Sequence, residues 1–164
     1  MPDGLSVTKA GESDIPLILR FIKDLAVYER MRDECVATEE KLRSTLFGQN
    51  PAAEVLIARL DGNPVGFALF FHSYSTFLAQ RGIYLEDLFV DPSARGKGIG
   101  FRLLSELARL AVERDCGRVE WAVLNWNDLA IDFYKRIGAT ALDELTTFRL
   151  AGESLHSLAR ESSA

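Results

Sequence analysis

The stretch Arg95-Gly96-Lys97-Gly98-Ile99-Gly100 follows an apolar run and opens an amphipathic one. Where a strand hands over to a helix, unpaired backbone N–H groups and the positive end of the helix dipole attract phosphate, and glycines let a ligand come close to the chain. The residues themselves exclude two nucleotide loops. Lys97 is followed by Gly98 instead of Ser or Thr, so this is not a Walker loop, and Phe101 fills the last slot of G-x-G-x-x-G, so it is not a dinucleotide fingerprint. The reading that needs no ligand is a flexible lead-in to a helix. Just upstream, Tyr84-Leu85-Glu86-Asp87-Leu88-Phe89-Val90 sets two adjacent carboxylates in an otherwise apolar run. Strand neighbours face opposite sides of a sheet, so one of the two acids looks toward a packed layer unless a cleft opens there, and burying an unpaired charge is costly. An edge strand with both acids solvated, or paired with an arginine, is the alternative. The third stretch is Asn125 to Ala139, where a polar strand end feeds a helix with Ile131 and Tyr134 on neighbouring parts of one face. Tyr134 reads there either as a core residue or as a phenol turned toward a site.

The elements that must position these groups follow from periodicity. Leu5 to Lys9 alternates apolar and polar and predicts a short strand, after which Ser13 or Asp14 caps a helix that accepts Pro16 in its first turn. Ile18, Phe21, Ile22, Leu25 and Ala26 recur at three- and four-residue steps as its inner face, with Arg20, Lys23 and Asp24 turned away. Thr38 opens a second helix that stops near Gly48, leaving Tyr28-Glu29-Arg30-Met31 at the start of a connector of the kind that often carries function. Val55–Leu60 and Val65–Tyr74 around Asp61-Gly62-Asn63-Pro64 predict a hairpin. A loop from Ser75 to Gly82 leads to a strand over Ile83–Val90, and a long helix runs from Gly98 to Arg114 on Ile99, Leu103, Leu104, Leu107, Leu110 and Ala111. Arg118–Leu124 predicts a strand, Asp128–Arg136 a helix ended by Gly138, Thr146–Leu150 a last strand, and Glu153–Ala164 a short helix at most. This order predicts an α/β (mixed α+β) fold, with one central, mostly antiparallel twisted sheet and helices on both faces.

Composition narrows the partners. With 164 residues the expectation is a single domain over 1–164, and 48% hydrophobic with 26% charged residues places the chain in the globular band. A formal net charge of −5 argues against nucleic acid, whose binders carry a basic patch or stripe. Cys35 and Cys116 lack C-x-x-C spacing, and His72 and His156 match no zinc pattern, so reduced thiols and no metal are expected. The Met1-Pro2-Asp3-Gly4 start shows no basic stretch followed by an apolar run, and nothing reaches the ~18 apolar residues of a membrane span. The expected setting is soluble and cytoplasmic, with no membrane partner.

Together the three chemical stretches resemble the GNAT acetyltransferase superfamily, with Arg95 to Gly100 as its acetyl-CoA pyrophosphate signature. Within it, Tyr84-Leu85-Glu86-Asp87 and Trp126-Asn127 through Phe133-Tyr134-Lys135-Arg136, with Gly138, look like the spermidine/spermine (diamine) acetyltransferase branch. The likeness extends to Phe21-Ile22-Lys23-Asp24-Leu25-Ala26 with Tyr28-Glu29. It implies a GNAT-like fold and an N-acetyltransferase with acetyl-CoA as co-substrate. It also implies that Tyr134 is the acid for the CoA sulfur and that Glu86 accepts the amine proton, with no covalent intermediate. Backbone N–H groups of Leu88, Phe89 and Val90 would hold the pantetheine arm and polarise the thioester carbonyl. Arg95, Gly96, Lys97, Gly98, Ile99, Gly100 and Phe101 would cradle the pyrophosphate, with Asn127, Ala130 and Tyr134 as further CoA contacts. Tyr28, Glu29, Glu86 and Asp87 map onto the amine side, and a homodimer through the C-terminal strand is implied.

The amine itself stays open. Arg32 stands where the polyamine enzymes have an acidic residue, and Ser75 and Phe77 replace their Asp and Trp. A small diamine, a polyamine and a lysine-like amino acid all fit. A non-catalytic acyl-CoA-binding module on the same fold is the alternative function, and a dinucleotide-dependent oxidoreductase is disfavoured by Phe101.

Overall fold

The computed structural model describes residues 2–162, which fall into two compact units that divide between Leu124 and Asn125. The first unit is built on a five-stranded sheet in the order β1 (Leu5–Lys9), β2 (Glu54–Leu60), β3 (Asn63–Ser75), β4 (Gln80–Val90), β5 (Val119–Trp121). Neighbours are antiparallel through β4, and β5 runs parallel to β4. The expected mixed architecture with a mostly antiparallel sheet is what the chain adopts.

Helices cover both faces because the strands alternate. On one face α1 (Ile15–Tyr28) and α2 (Glu39–Leu46) pack Ile15, Ile18, Phe21, Leu25, Leu42 and Leu46 onto Val55, Ile57, Phe67 and Phe89. The Phe21 ring stacks on Phe67 at 5.4 Å between centroids and tilts onto Phe89 at 5.9 Å, tying α1 to β3 and β4. Truncating Phe21 to Ala would cost about 3–5 kcal/mol. The intervening positions, among them Leu56 and Phe70, are buried on the opposite face under α3 (Ile99–Glu113), which inserts Ile99, Leu103, Leu104, Leu107 and Ala111. Leu110, expected on that inner face, is half-buried.

The boundaries departed from expectation where side chains gave no apolar signal. Residues expected in a loop from Ser75 to Gly82 extend the hairpin, because Tyr74 pairs with Arg81 and Ser75 with Gln80, leaving only a turn over residues 76–79. The buried Ser75 hydroxyl accepts the Leu78 N–H at 3.2 Å and closes that turn. At the far edge β5 covers Val119–Trp121 instead of Arg118–Leu124.

The second unit carries α4 (Asp128–Arg136) and α5 (Gly152–Glu161). Asn127 caps α4 by accepting the Ala130 N–H at 3.3 Å, and Gly138 at φ +90° lets the Ala139 N–H close back on the Tyr134 carbonyl at 3.0 Å. The strand expected at Thr146–Leu150 is not formed. This unit contributes no strand among the described residues, and an isolated strand leaves its backbone N–H and C=O groups without partners. The tail is a full ten-residue helix instead of a short one, with Ser163 and Ala164 of the expected Glu153–Ala164 segment outside the described residues.

Candidate active site

The glycine loop begins where β4 ends. The Asp91 carboxylate accepts the Ser93 N–H at 2.9 Å and the Ser93 hydroxyl at 2.6 Å, turning the chain through residues 92–94. These bonds, only partly offset by desolvation, hold the Asp91 carboxyl below its ordinary value, with Arg20 and Arg95 helping. Gly96 and Gly98 then both take φ +75°, a left-handed conformation that costs other residues about 1–2 kcal/mol. A Cβ at either would meet no heavy atom within 4 Å, so the glycines answer to backbone conformation and the space above them is open. Gly98 caps α3 with no side-chain hydrogen bond, and the first turn of α3 carries no acidic residue. The N–H groups of Ile99, Gly100 and Phe101 therefore keep the donor capacity and positive dipole end that suit an anion, and the loop fits a diphosphate.

Immediately before the loop, β4 is irregular. Leu69 pairs with Asp87 and the next residue, Phe70, with Leu85, so Glu86 is the extra residue of a β-bulge. Pairing on the other side stops at the same place, since β5 reaches only from Ile83 to Leu85. From Glu86 to Val90, β4 thus has a strand neighbour on its β3 side alone among the described residues. Asp91 donates its N–H to the Val65 carbonyl, so by alternation the main-chain groups of Phe89 face β3 and those of Leu88 and Val90 face the open edge, the kind of edge an extended amide-containing chain can join.

The bulge breaks the expected alternation of Glu86 and Asp87. Asp87 lies opposite Leu69 on the α1 face and is half-buried, and Glu86 in the bulge is exposed. Glu29, at the C-terminal cap of α1, completes an acidic trio. Burial, then the charges of Glu86 and Glu29, push the Asp87 carboxyl up to about 6. Burial and Glu86 raise Glu29 as well, and burial with Glu86 and Glu120 raises the Tyr84 phenol. The negative end of the α1 dipole points at the same place. Such a group of carboxylates is stabilised by an incoming ammonium.

Arg95 joins these two regions. Its Nε donates to the Val90 carbonyl at 3.0 Å, and its guanidinium lies 4.5 Å from the Tyr28 ring centre and 5.9 Å from that of Phe89. Lys97 and Phe101 are exposed beside the loop. Sequence reasoning had Arg95 in the loop and Tyr28 on the amine side and gave no sign that they touch, nor any sign of the bulge.

In the second unit, Asn127 spends its side-chain oxygen on capping α4, Ala130 is the residue it caps, and Tyr134 lies half-buried with its ring 5.4 Å from Phe133. A different charge cluster sits on the α3 face of the sheet. Arg114 grips Glu54 at 2.5 and 3.1 Å, Lys9 adds a bond at 2.9 Å, and His72 lies 3.4 Å from Arg114. A cavity of about 140 Å³ beside it, lined by Leu56, Phe70, Arg109 and these ions, falls below the roughly 300 Å³ of ordinary ligand pockets. No group of His, Cys, Asp and Glu suited to a metal exists among the described residues, and no helix there is long and apolar enough to cross a membrane.

An acidic bulge, a strand edge without a partner and a glycine loop thus follow one another along the chain. The Acetyltransferase (GNAT) family profile matches residues 25–139. Thialysine N-epsilon-acetyltransferase of Sus scrofa is 40% identical over 164 aligned residues, covering 93% of this chain and 96% of that protein. L-ornithine N5-acetyltransferase NATA1 of Arabidopsis thaliana is 33% identical, covering 91% and 85%. Spermidine/spermine N(1)-acetyltransferase-like protein 1 of Homo sapiens is 33% identical over 85% of this chain and 21% of that protein. Among solved structures, an integron cassette protein from V. cholerae superposes with TM-score 0.81 at 28% identity, covering 97% and 99%. The chain belongs to the GNAT acetyltransferase family and is an N-acetyltransferase.

Proposed function

We propose that this enzyme moves the acetyl group of acetyl-CoA onto the side-chain amine of a lysine-like amino acid, with short diamines and polyamines as the competing acceptors. The observation that carries the reading is the trio Glu29, Glu86 and Asp87 beside an open strand edge, where burial and the Glu86 charge raise both the Glu29 and the Asp87 carboxyl. Relatives named for thialysine and ornithine support the amino-acid acceptor over the polyamine. Arg32, which replaces the acid of the polyamine enzymes, points the same way.

Acetyl-CoA supplies an activated acyl carbon on a thioester. Leu88 and Val90 hold its pantetheine arm on the free edge of β4, and the N–H groups from Gly96 to Phe101 hold its diphosphate, with Asn127 and Ala130 as further contacts. An alkylammonium with a pKa near ~10.4 has to lose a proton before its nitrogen can attack, and a thiolate leaving group of about 8.5 gains from receiving one. Glu86, exposed in the bulge, takes the amine proton through water; Asp87, Glu29 and Tyr28 orient the cation beforehand. The amine nitrogen bonds to the acyl carbon, the carbon–sulfur bond breaks, and Tyr134 protonates the departing sulfur. The family match runs from 25 to 139 across both compact units, which supports one acetyltransferase domain over 1–164.

Two wider assignments belong to the same reading. Cys35 and Cys116 are unpaired, in keeping with a cytoplasmic enzyme. A homodimer is supported by the unformed strand at 146–150, where Phe148 is 91% exposed between the exposed Leu145 and Leu150. Light scattering of the purified chain would give twice the 18.3 kDa mass if so. Incubation with acetyl-CoA and a panel of thialysine, lysine, ornithine, diamines and polyamines, followed by mass detection of a product heavier by one acetyl group, tests the central claim. Turnover of the amino acids ahead of spermidine supports it, and CoA binding with no acetylated product overturns it.

A further inference from the structure

The guanidinium of Arg95 bridges two places that the proposed reaction uses separately. Its backbone opens the glycine loop, one residue before Gly96 at φ +75°. Its side chain turns back from that loop, donating Nε to the last carbonyl of β4 and stacking 4.5 Å from the ring centre of Tyr28. Tyr28 is the last residue of α1, and Glu29 follows it as the helix cap. That cap is held by backbone bonds from Glu29 to Leu25 at 2.8 Å, from Arg30 to Val27 at 3.1 Å and from Met31 to Ala26 at 2.8 Å. Arg30 takes φ +63° within it, a conformation that a non-glycine residue keeps only when its surroundings hold it. A planar guanidinium that is hydrogen-bonded at Nε and stacked on an aromatic face has a fixed orientation, which an ammonium on a flexible stem cannot reproduce.

We infer that Arg95 is a positioning residue for the acceptor amine, which transmits the order of the donor loop to Tyr28 and Glu29. This rests on the proposed function for the identity of the two ligands. Fixing the loop by a bound diphosphate fixes Arg95, and Arg95 fixes the end of α1. The two substrates are then linked, each tightening the other by the same factor. A direct phosphate ligand at this position would act differently, through CoA affinity alone, and a lysine would replace it in part.

Hydrogen exchange of the wild-type enzyme with and without CoA reads the link without any amine. CoA should slow exchange at the Glu29, Arg30 and Met31 amides by about threefold or more. In Arg95→Lys and in Tyr28→Leu that protection should vanish while calorimetric CoA affinity stays within about threefold, and Tyr28→Phe, which keeps the ring, should retain it. With an amine that the wild type acetylates, Arg95→Lys should raise the amine KM about tenfold with kcat changed less than threefold. The Arg95→Lys/Tyr28→Leu double variant should be no worse than either single one. Loss of CoA affinity in Arg95→Lys with α1 protection intact overturns the inference in favour of a phosphate ligand. So does a wild type whose α1 end ignores bound CoA, or a double variant whose effects add. A wild type that gives no heat with CoA overturns the proposed function along with it, whereas one that binds CoA and protects α1 yet acetylates no amino acid overturns only the choice of amine.

Discussion

Two carboxylate clusters lie on opposite faces of the same sheet, and their charges are managed in opposite ways. At Glu54, the Arg114 hydrogen bonds outweigh partial burial, and with Lys9 they hold the carboxyl down to about 2. At Asp87, burial and two further acids push the carboxyl up to about 6, and no cation is among the causes. The first cluster is complete within the chain: helix α3 delivers Arg114 at its C-terminal cap, where a cation also suits the dipole. The second is arranged against itself, with acids on a helix C-terminus and a strand bulge. A folded chain tolerates such repulsion where a ligand relieves it, so the contrast separates a charge group neutralised within the chain from one whose chemistry suits a cation, as proposed above.

Exchanging the two roles is the most severe way to break that contrast. Glu86→Gln removes the proposed proton acceptor and leaves the bulge its shape, so kcat/KM should fall by about 10²–10⁴ while CoA still binds. Glu54→Gln should leave kcat within about twofold. Steady-state kinetics on both variants decide the matter, and a Glu54 variant as inactive as the Glu86 one would dissolve the distinction. Tyr134→Phe, tested in the same assay, should lower turnover by at least about tenfold without loss of CoA affinity.

Stability should respond to pH with opposite signs at the two clusters. A carboxyl raised in the folded state is protonated there while the unfolded chain ionises, so Asp87 costs stability as pH rises from 3.8 toward about 6, and the full cost persists above that. A rise of that size corresponds to about 3 kcal/mol at most. Asp87→Asn should therefore stabilise the free enzyme by about 1–3 kcal/mol at pH 7.5, with little gain at pH 4, while raising the amine KM. The Glu54 carboxyl, lowered from 4.5 to about 2, contributes stability that is present above pH 4.5 and is lost as pH falls toward 2. Because that pair is partly solvated, Glu54→Gln should cost only about 1–2 kcal/mol at pH 7.5, read from urea midpoints.

Much of this arrangement could be seen in the residues. The β1 and α4 boundaries and the Thr38 cap follow from local chemistry, because caps and apolar periods are written within a few positions. The loop Arg95 to Gly100 and the acids Glu86 and Asp87 announce themselves by being unusual for their elements. What stayed hidden depends on register. The bulge at Glu86 exists only in the pairing of β4 with β3, and the early end of β5 only in its pairing with β4. The contact of Arg95 with Tyr28 joins residues far apart in the chain that no spacing rule links. Thr146–Leu150 has the pattern of a strand, but a pattern cannot supply the neighbour that would pair with it.

The smallest expected effects lie in the glycine loop, at Gly98 and Lys97, and they sharpen the contrast between shape and charge at the donor end. Nothing stands within 4 Å of a Cβ built there, so Gly98→Ala meets no clash, and its cost is that of holding alanine at φ +75°, about 1 kcal/mol. If main-chain N–H groups bind the diphosphate, even that small distortion should turn them and weaken CoA binding about five- to tenfold, with amine KM following only through the shared link. Lys97→Ala removes a neighbouring charge without touching the backbone, and should reduce CoA affinity less than Gly98→Ala does, by an amount that shrinks with added salt. Calorimetry at two salt concentrations separates the cases. A larger, salt-sensitive loss at Lys97 would mean that charge and not backbone conformation governs the donor loop, which would bring it close in kind to the acidic cluster it follows.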